Sequence, residues 1–238
     1  MTRTLAVFEL GLIPEHLRAT YPDYAAMIVN WLRPALPEVE YQALRIVRGE
    51  PIPSAEQFDG YLFSGSRYGV YDALPWIKPL QSFVRDAAGL RRPQFGICFG
   101  HQLIASALEG SAKLHEDGWN CGVQTYQLDL DGDAGLTPVY VMHQDQVKAK
   151  SKTTRIVGHS EECAIGALSH AAPILTVQFH PEFSAEYMTE LLRPGVLGSI
   201  PAHIANAALE SLKTNVDSSV VAEWAARFFR LNFPKNEL

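Results

Sequence analysis

Short apolar runs alternate with amphipathic stretches through the first half of the chain. TLAVFEL (4–10) is a continuous apolar run of strand length. In YPDYAAMIVNWLRPAL, Tyr24, Ile28, Trp31 and Leu32 recur at helical spacing until Pro34 and Pro37 stop the pattern. VEYQALRIV (39–47) and DGYLFSG (59–65) read as the next strands. Residues 75–89 read as a helix, with Pro75 at its start and Gly89 at its end. PQFGICF (93–99) is strand-like again and runs straight into HQLIASALEG, a helix closed by Gly110.

Strand–helix alternation with short connections implies a parallel sheet covered on both faces. Residues 122–130, 137–143, 153–168 and 173–180 are strand-rich without long helices between them, which predicts an antiparallel extension of that sheet. From Ser184 onward the pattern is helical. The last element, DSSVVAEWAARFFRLNF, starts at a capping residue (Asp217 or Ser218) and puts Val221, Trp224, Phe228 and Leu231 on one stripe. No repeat, low-complexity tract or linker interrupts the chain. The expectation is one α/β domain over residues 1–238, with a core of about 4–183 and a helical C-terminal appendage over 184–238.

Composition narrows the function classes. The 238 residues are 47% hydrophobic and 19% charged, an ordinary globular balance with enough apolar surface for a core. Twenty basic residues against 26 acidic ones give a net charge of −6, and the densest basic pair is Arg91-Arg92. That excludes an extended phosphate-binding face, so nucleic acid is not an expected partner. Cys98, Cys121 and Cys163 are odd in number and form no CxxC pair, so no disulfide framework is expected. The start, MTRTLAVFELGLIPEH, reads as a first strand and not as a signal peptide, and no stretch of 18 apolar residues exists. These features predict a reduced, soluble, cytoplasmic protein.

The chemistry concentrates in Gly96-Ile97-Cys98-Phe99-Gly100-His101-Gln102. A G-x-nucleophile-x-G turn between a strand and a helix is a nucleophile elbow. The nucleophile there takes a strained, positive-φ conformation, and small flanking residues avoid clashes. The turn lifts the Cys98 sulfur clear of the sheet and sets it at a helix N-terminus. There the dipole favours thiolate over thiol, and free backbone N–H groups face the site. The same five residues also suit an ordinary buried cysteine; the strand before and the helix after favour the functional reading.

A second segment lies 82 positions later, Val177-Gln178-Phe179-His180-Pro181-Glu182-Phe183. The strand ILTVQF is expected to end at His180. A chain extended through Pro181 puts His180 and Glu182 on one side, because the side-chain period is two. A carboxylate at that spacing accepts one imidazole N–H and leaves the other nitrogen free for Cys98.

Cys98 in GICFGHQ with His180 and Glu182 in VQFHPEF resembles the class I (triad-type) glutamine amidotransferase domain over roughly residues 4–183. The similarity is greatest to free-standing members like the glutaminase domain of GMP synthetase and the γ-glutamyl peptidases built on it. The resemblance implies a three-layer α/β/α fold with a mostly parallel, flavodoxin-like sheet. It also implies that Cys98 attacks the side-chain amide of glutamine while His180 and Glu182 complete a triad. Gly65, in Ser64-Gly65-Ser66-Arg67, matches the turn whose N–H helps form the oxyanion hole, and the Phe99 amide is the second donor. Gln102 matches a side chain that touches substrate. Val141-Met142-His143-Gln144-Asp145 resembles a Ser-His-Gly-Asp stretch whose backbone helps hold the substrate's α-carboxylate and α-amino groups. Here Met142 replaces the serine and Gln144 the glycine, so Met142, His143 and Gln144 are substrate-binding candidates on an altered wall.

The expected reaction is hydrolysis of the glutamine γ-carboxamide through a γ-glutamyl thioester, releasing ammonia and glutamate, with no metal or organic cofactor. No SGGxDS or GxxxxGK[ST] nucleotide motif is present, and about 55 residues after Glu182 are too few for a synthetase domain. Ammonia then passes to a separate synthetase subunit, or the protein is a stand-alone hydrolase of γ-glutamyl bonds. A third reading is a non-catalytic binding module on the same fold, which an intact Cys98, His180 and Glu182 argues against. His143 with Asp145 supplies too few ligands for a closed metal shell. Cys121 and Cys163 read as small buried fillers. The aromatic C-terminal helix permits a homodimer.

Overall fold

The computed structural model describes residues 2–198 and 200–234. Its first half alternates strand and helix as the apolar runs predict. The elements are β1 (Arg3–Phe8), α1 (Tyr24–Leu32), β2 (Val39–Leu44), β3 (Gly60–Phe63), α2 (Ile77–Gly89), β4 (Gln94–Ile97) and α3 (Phe99–Ala107). Then follow β5 (Ser111–Leu114), β6 (Asn120–Leu130), β7 (Asp133–His143), β8 (Asp145–Ala149), β9 (Arg155–His159), β10 (Ala167–Ser169) and β11 (Ile174–Val177). Three helices close the chain: α4 (Ala185–Leu191), α5 (Ala202–Ser211) and α6 (Ser219–Asn232).

Nine strands form one sheet in the order β2-β1-β3-β4-β11-β10-β9-β6-β7. β2 to β11 pair in parallel, and β10, β9, β6 and β7 extend the sheet antiparallel. The period-two alternation of β1 divides its side chains between two cores. Leu5 and Val7 pack beneath α1 and α6, whereas Ala6 and Phe8 pack beneath α2 and α3. This is the expected three-layer α/β/α arrangement.

Several details depart from the sequence pattern. Residues 153–168 are not one strand: β9 and β10 flank a turn in which Ser160 N–H donates to the Cys163 carbonyl at 2.9 Å. A small second sheet, β5 with β8, lies outside the main one. The α6 stripe keeps Val221, Trp224 and a half-buried Phe228 as expected and widens to Ala222, Ala225 and Phe229, but Leu231 falls outside it and is 75% exposed. Gly110 does not supply the left-handed residue at the exit of α3; Glu109 does, with φ +65°. Among the described residues no helix is long and apolar enough to cross a membrane.

Candidate active site

β4 ends at Ile97 and α3 begins at Phe99, so Cys98 alone makes the turn, with φ +51° and ψ −102°. A non-glycine residue held there costs roughly 1–3 kcal/mol, which the surrounding packing must supply. The flanking glycines explain how the turn fits. A Cβ on Gly96 would lie 2.7 Å from the Gly100 carbonyl, and one on Gly100 would lie 2.4 Å from the Phe63 carbonyl. Neither position has room for a methyl group, so the two glycines let α3 start against the end of β3.

The second segment approaches from β11, the parallel neighbour of β4. The strand stops at Val177, three residues before His180, earlier than the apolar pattern predicts. His180 is held by its own N–H, which donates to the Tyr140 carbonyl of β7 at 2.8 Å. Its Nδ1 donates to Glu182 Oε1 at 2.8 Å, as the i, i+2 spacing requires. Both side chains are almost wholly buried, 5% and 1% exposed. The imidazole lies flat on the Phe183 ring, 4.0 Å between centroids and 6° between planes.

Burial, the largest effect, opposes the charge on this imidazole. The Glu182 carboxylate and the Cys98 sulfur together outweigh it and raise His180 to about 10. Cys98 is 4% exposed, and its thiol donates to the Met142 carbonyl at 4.0 Å. Gly65 closes the other side: a Cβ there would be 2.7 Å from His180 Cε1 and 3.6 Å from Cys98 Cβ. The structure thus brings Cys98, His180, Glu182 and Gly65 together. Phe99 N–H lies in the first turn of α3, where backbone donors have no intrahelical acceptor.

Residues 22–197 match the family model described as Glutamine amidotransferase class-I. The chain belongs to this family. γ-Glutamyl peptidase 2 of Arabidopsis thaliana is 25% identical over 89% of this chain and 89% of its own. A glutamine-hydrolyzing GMP synthase subunit of Methanocaldococcus jannaschii is 31% identical over 60% of this chain and 76% of its own. In fold, the crystal structure of a glutamine amido transferase from Methylobacillus flagellatus superposes with a TM-score of 0.73 at 18% identity. That match covers 99% of this chain and 96% of the other.

The remaining candidates of this amidotransferase chain are placed less uniformly. Gln102 is 2% exposed, and its Nε2 already donates to the Asp145 carbonyl at 2.9 Å and to Gln178 Oε1 at 3.2 Å. Met142 turns its side chain into an apolar cluster with Tyr140, Tyr187 and Met188 and offers only its carbonyl to Cys98. His143 is buried, with its Nε2 3.5 Å from Asn120 Nδ2 and its Nδ1 without a partner among the described residues. Burial first, then the charge on His180, pushes it down to about 3, so it is neutral. Gln144 is half-buried, and its carbonyl accepts the His115 N–H at 2.9 Å.

Three supporting residues escape sequence reasoning. Ser64 Oγ accepts the Leu10 N–H and donates to the Gly65 carbonyl, both at 2.9 Å, tying β1 to the Gly65 turn. His101, buried and pushed down to about 3 by burial, bridges Thr176 Oγ1 at 2.7 Å and the Ile165 carbonyl at 3.1 Å, locking α3 to β11. Phe183 fixes the plane of His180, and its position directly after Glu182 is the one signal that could have found it.

Proposed function

We propose that this protein hydrolyses the γ-carboxamide bond of glutamine or of a γ-glutamyl compound, with Cys98 as nucleophile, His180 as acid and base, and Glu182 as the group that orients and charges the imidazole. The observation that carries the reading is the pairing of two costly features. A cysteine sits in a strained elbow at a helix N-terminus, and the imidazole beside it is bound to a buried carboxylate at 2.8 Å.

The Cys98 thiolate adds to the γ-carbon, and the carbonyl π pair moves to oxygen. The oxyanion is held by the N–H groups of Gly65 and Phe99; losing one such donor costs about 10²–10³ in rate. His180, raised to about 10, is protonated when attack begins and gives its proton to the leaving nitrogen as the C–N bond breaks. Ammonia or an amine departs, and the γ-glutamyl group remains as a thioester on Cys98. Neutral His180 then takes a proton from water, hydroxide adds to the thioester carbon, and glutamate leaves with the thiolate restored. Gln102, Met142, His143 and Gln144 form the far wall of the substrate site. Since Gln102 already spends its amide N–H on protein carbonyls, its Oε1 is the atom left for substrate.

Two fates of the amine accord with the relatives. Similarity to a glutamine-hydrolyzing GMP synthase subunit supports ammonia transfer to a separate synthetase, and the near full-length similarity to a γ-glutamyl peptidase supports hydrolysis without a partner. Purified protein incubated with glutamine and with γ-glutamyl peptides, beside Cys98→Ala and His180→Ala, tests the reading. Glutamate release lost in both variants is expected. Release that survives Cys98→Ala overturns it.

A further inference from the structure

Two loops from distant parts of the chain flank Cys98. The turn after β3 brings Gly65 so close that a Cβ there would touch both the Cys98 Cβ and the His180 ring. On the other side the end of β7 brings the Met142 carbonyl to 4.0 Å from the sulfur. The same two loops meet a second time. Tyr71, further along the loop after β3, donates its O–H to Asp145 Oδ1 at 3.1 Å, across 74 positions of sequence. Among the described residues this is the side-chain hydrogen bond that ties one loop to the other.

Each end of that bond has a firm seat. Gly69 N–H donates to Asp72 Oδ2 at 3.0 Å, which curls the loop, and a Cβ on Gly69 would lie 2.6 Å from the Tyr71 Cζ. The tyrosine ring therefore rests on bare glycine backbone. Asp145 is fixed by its own carbonyl, which accepts Gln102 Nε2 at 2.9 Å, and by its pairing with Leu114 in the β5–β8 ladder. Burial raises the Asp145 carboxyl and the Tyr71 hydrogen bond lowers it, so the contact favours the carboxylate as acceptor. The bond itself is at the surface, for Tyr71 is 58% exposed, and no core packing holds its ring in place. The reacting groups contrast with it: Cys98, His180 and Gln102 are almost wholly covered. A substrate can reach that sulfur only if part of the cover moves, and segments joined by few, exposed hydrogen bonds open first.

We infer that the Tyr71–Asp145 hydrogen bond is a strap between the two loops that flank Cys98, closed in the free protein and opened by rotation of the exposed Tyr71 side chain to admit substrate. The inference rests on the hydrolytic reading above for the identity of that substrate. Access to the sulfur can be measured without turnover, so the two stand or fall separately.

Alkylation of Cys98 by iodoacetamide, followed by mass spectrometry so that Cys121 and Cys163 are counted apart, reads that access. Tyr71→Phe keeps the ring and removes the donor; Asp145→Ala removes the acceptor. Each should speed alkylation about two- to tenfold, the worth of one hydrogen bond. The double variant should be no faster than the quicker single one, because both substitutions break the same bond. Tyr41→Phe, which removes a β2 hydroxyl bonded to the Leu36 carbonyl at 2.9 Å, should react like wild type. Unchanged or slower alkylation in Tyr71→Phe, or gains that add in the double variant, overturn the strap even where glutamate release persists. Faster, non-additive alkylation in a protein that releases glutamate from neither glutamine nor γ-glutamyl peptides supports the strap and overturns the hydrolytic reading.

Discussion

Replacing Gly65 by alanine perturbs the site at one point with a known geometry. The added Cβ would lie 2.7 Å from His180 Cε1. Ordinary carbon–carbon contact needs about 3.5–4.0 Å, so the ring must retreat by about 0.8 Å or more. Retreat is restricted, because Phe183 stacks on the imidazole at 4.0 Å and Glu182 anchors Nδ1 at 2.8 Å. A misplacement of about 1 Å costs on the order of 10²-fold, so kcat/KM for glutamate release should fall about 100-fold in Gly65→Ala. Overpacking costs about 1–3 kcal/mol, and for a chain of this size that lowers Tm by roughly 2–10 °C, leaving the variant folded at assay temperature. Alkylation of Cys98 by iodoacetamide should slow as well, since the imidazole is displaced from beside the sulfur. A folded Gly65→Ala with activity within about threefold of wild type would refute the steric argument. Lost turnover with unchanged alkylation would move the defect from the imidazole to the oxyanion donors.

Glu182→Gln should lower the basicity of His180, and the stability it removes should depend on pH. A folded value raised to about 10 from 6.5 means that this stabilisation is complete below 6.5 and fades as the pH climbs through about 10. The Tm gap between wild type and variant should therefore be wider at pH 6 than near pH 10, and an equal gap at both would contradict the pairing. Cys98→Gly and Cys98→Ala should both abolish glutamate release, and the glycine variant should have the higher Tm because glycine adopts φ +51° without steric penalty; a glycine variant less stable than the alanine one would contradict the strain argument. Phe183→Leu should cost about tenfold in kcat with little change in KM, and Phe183→Tyr should restore it, since the stacked ring adds roughly 0.5–1.5 kcal/mol of orientation. Steady-state kinetics at saturating substrate separates these outcomes.

The parts of the site legible in the sequence are those set by local backbone rules. The elbow is readable because Gly96 and Gly100 leave no room for a Cβ, and the His180–Glu182 contact because an extended chain repeats every two residues. The three layers are readable because β1 alternates between two cores. What stayed hidden depends on partners distant in the chain. Nothing near Ser64 announces that Leu10 will donate to it, and nothing near His101 announces Thr176, 75 positions away. On α6 the alanines, weak in an apolar pattern, take buried positions at Ala222, Ala225 and Ala226, while Leu231 lies on the exposed face.

The hidden contacts share a consequence. Cys98 is strained, Glu182 Oε2 and His143 Nδ1 are buried without partners among the described residues, and two imidazoles are held neutral near a third that is charged. Each orphaned polar atom costs about 1–3 kcal/mol. The two cores beneath are built from closely packed apolar side chains. Buried unpartnered atoms also lie elsewhere, at Arg92, Gln94, Tyr126 and His170; what sets the surroundings of Cys98 apart is that backbone strain, orphaned polar atoms and a charged imidazole meet beside one sulfur, as the proposed charge development requires.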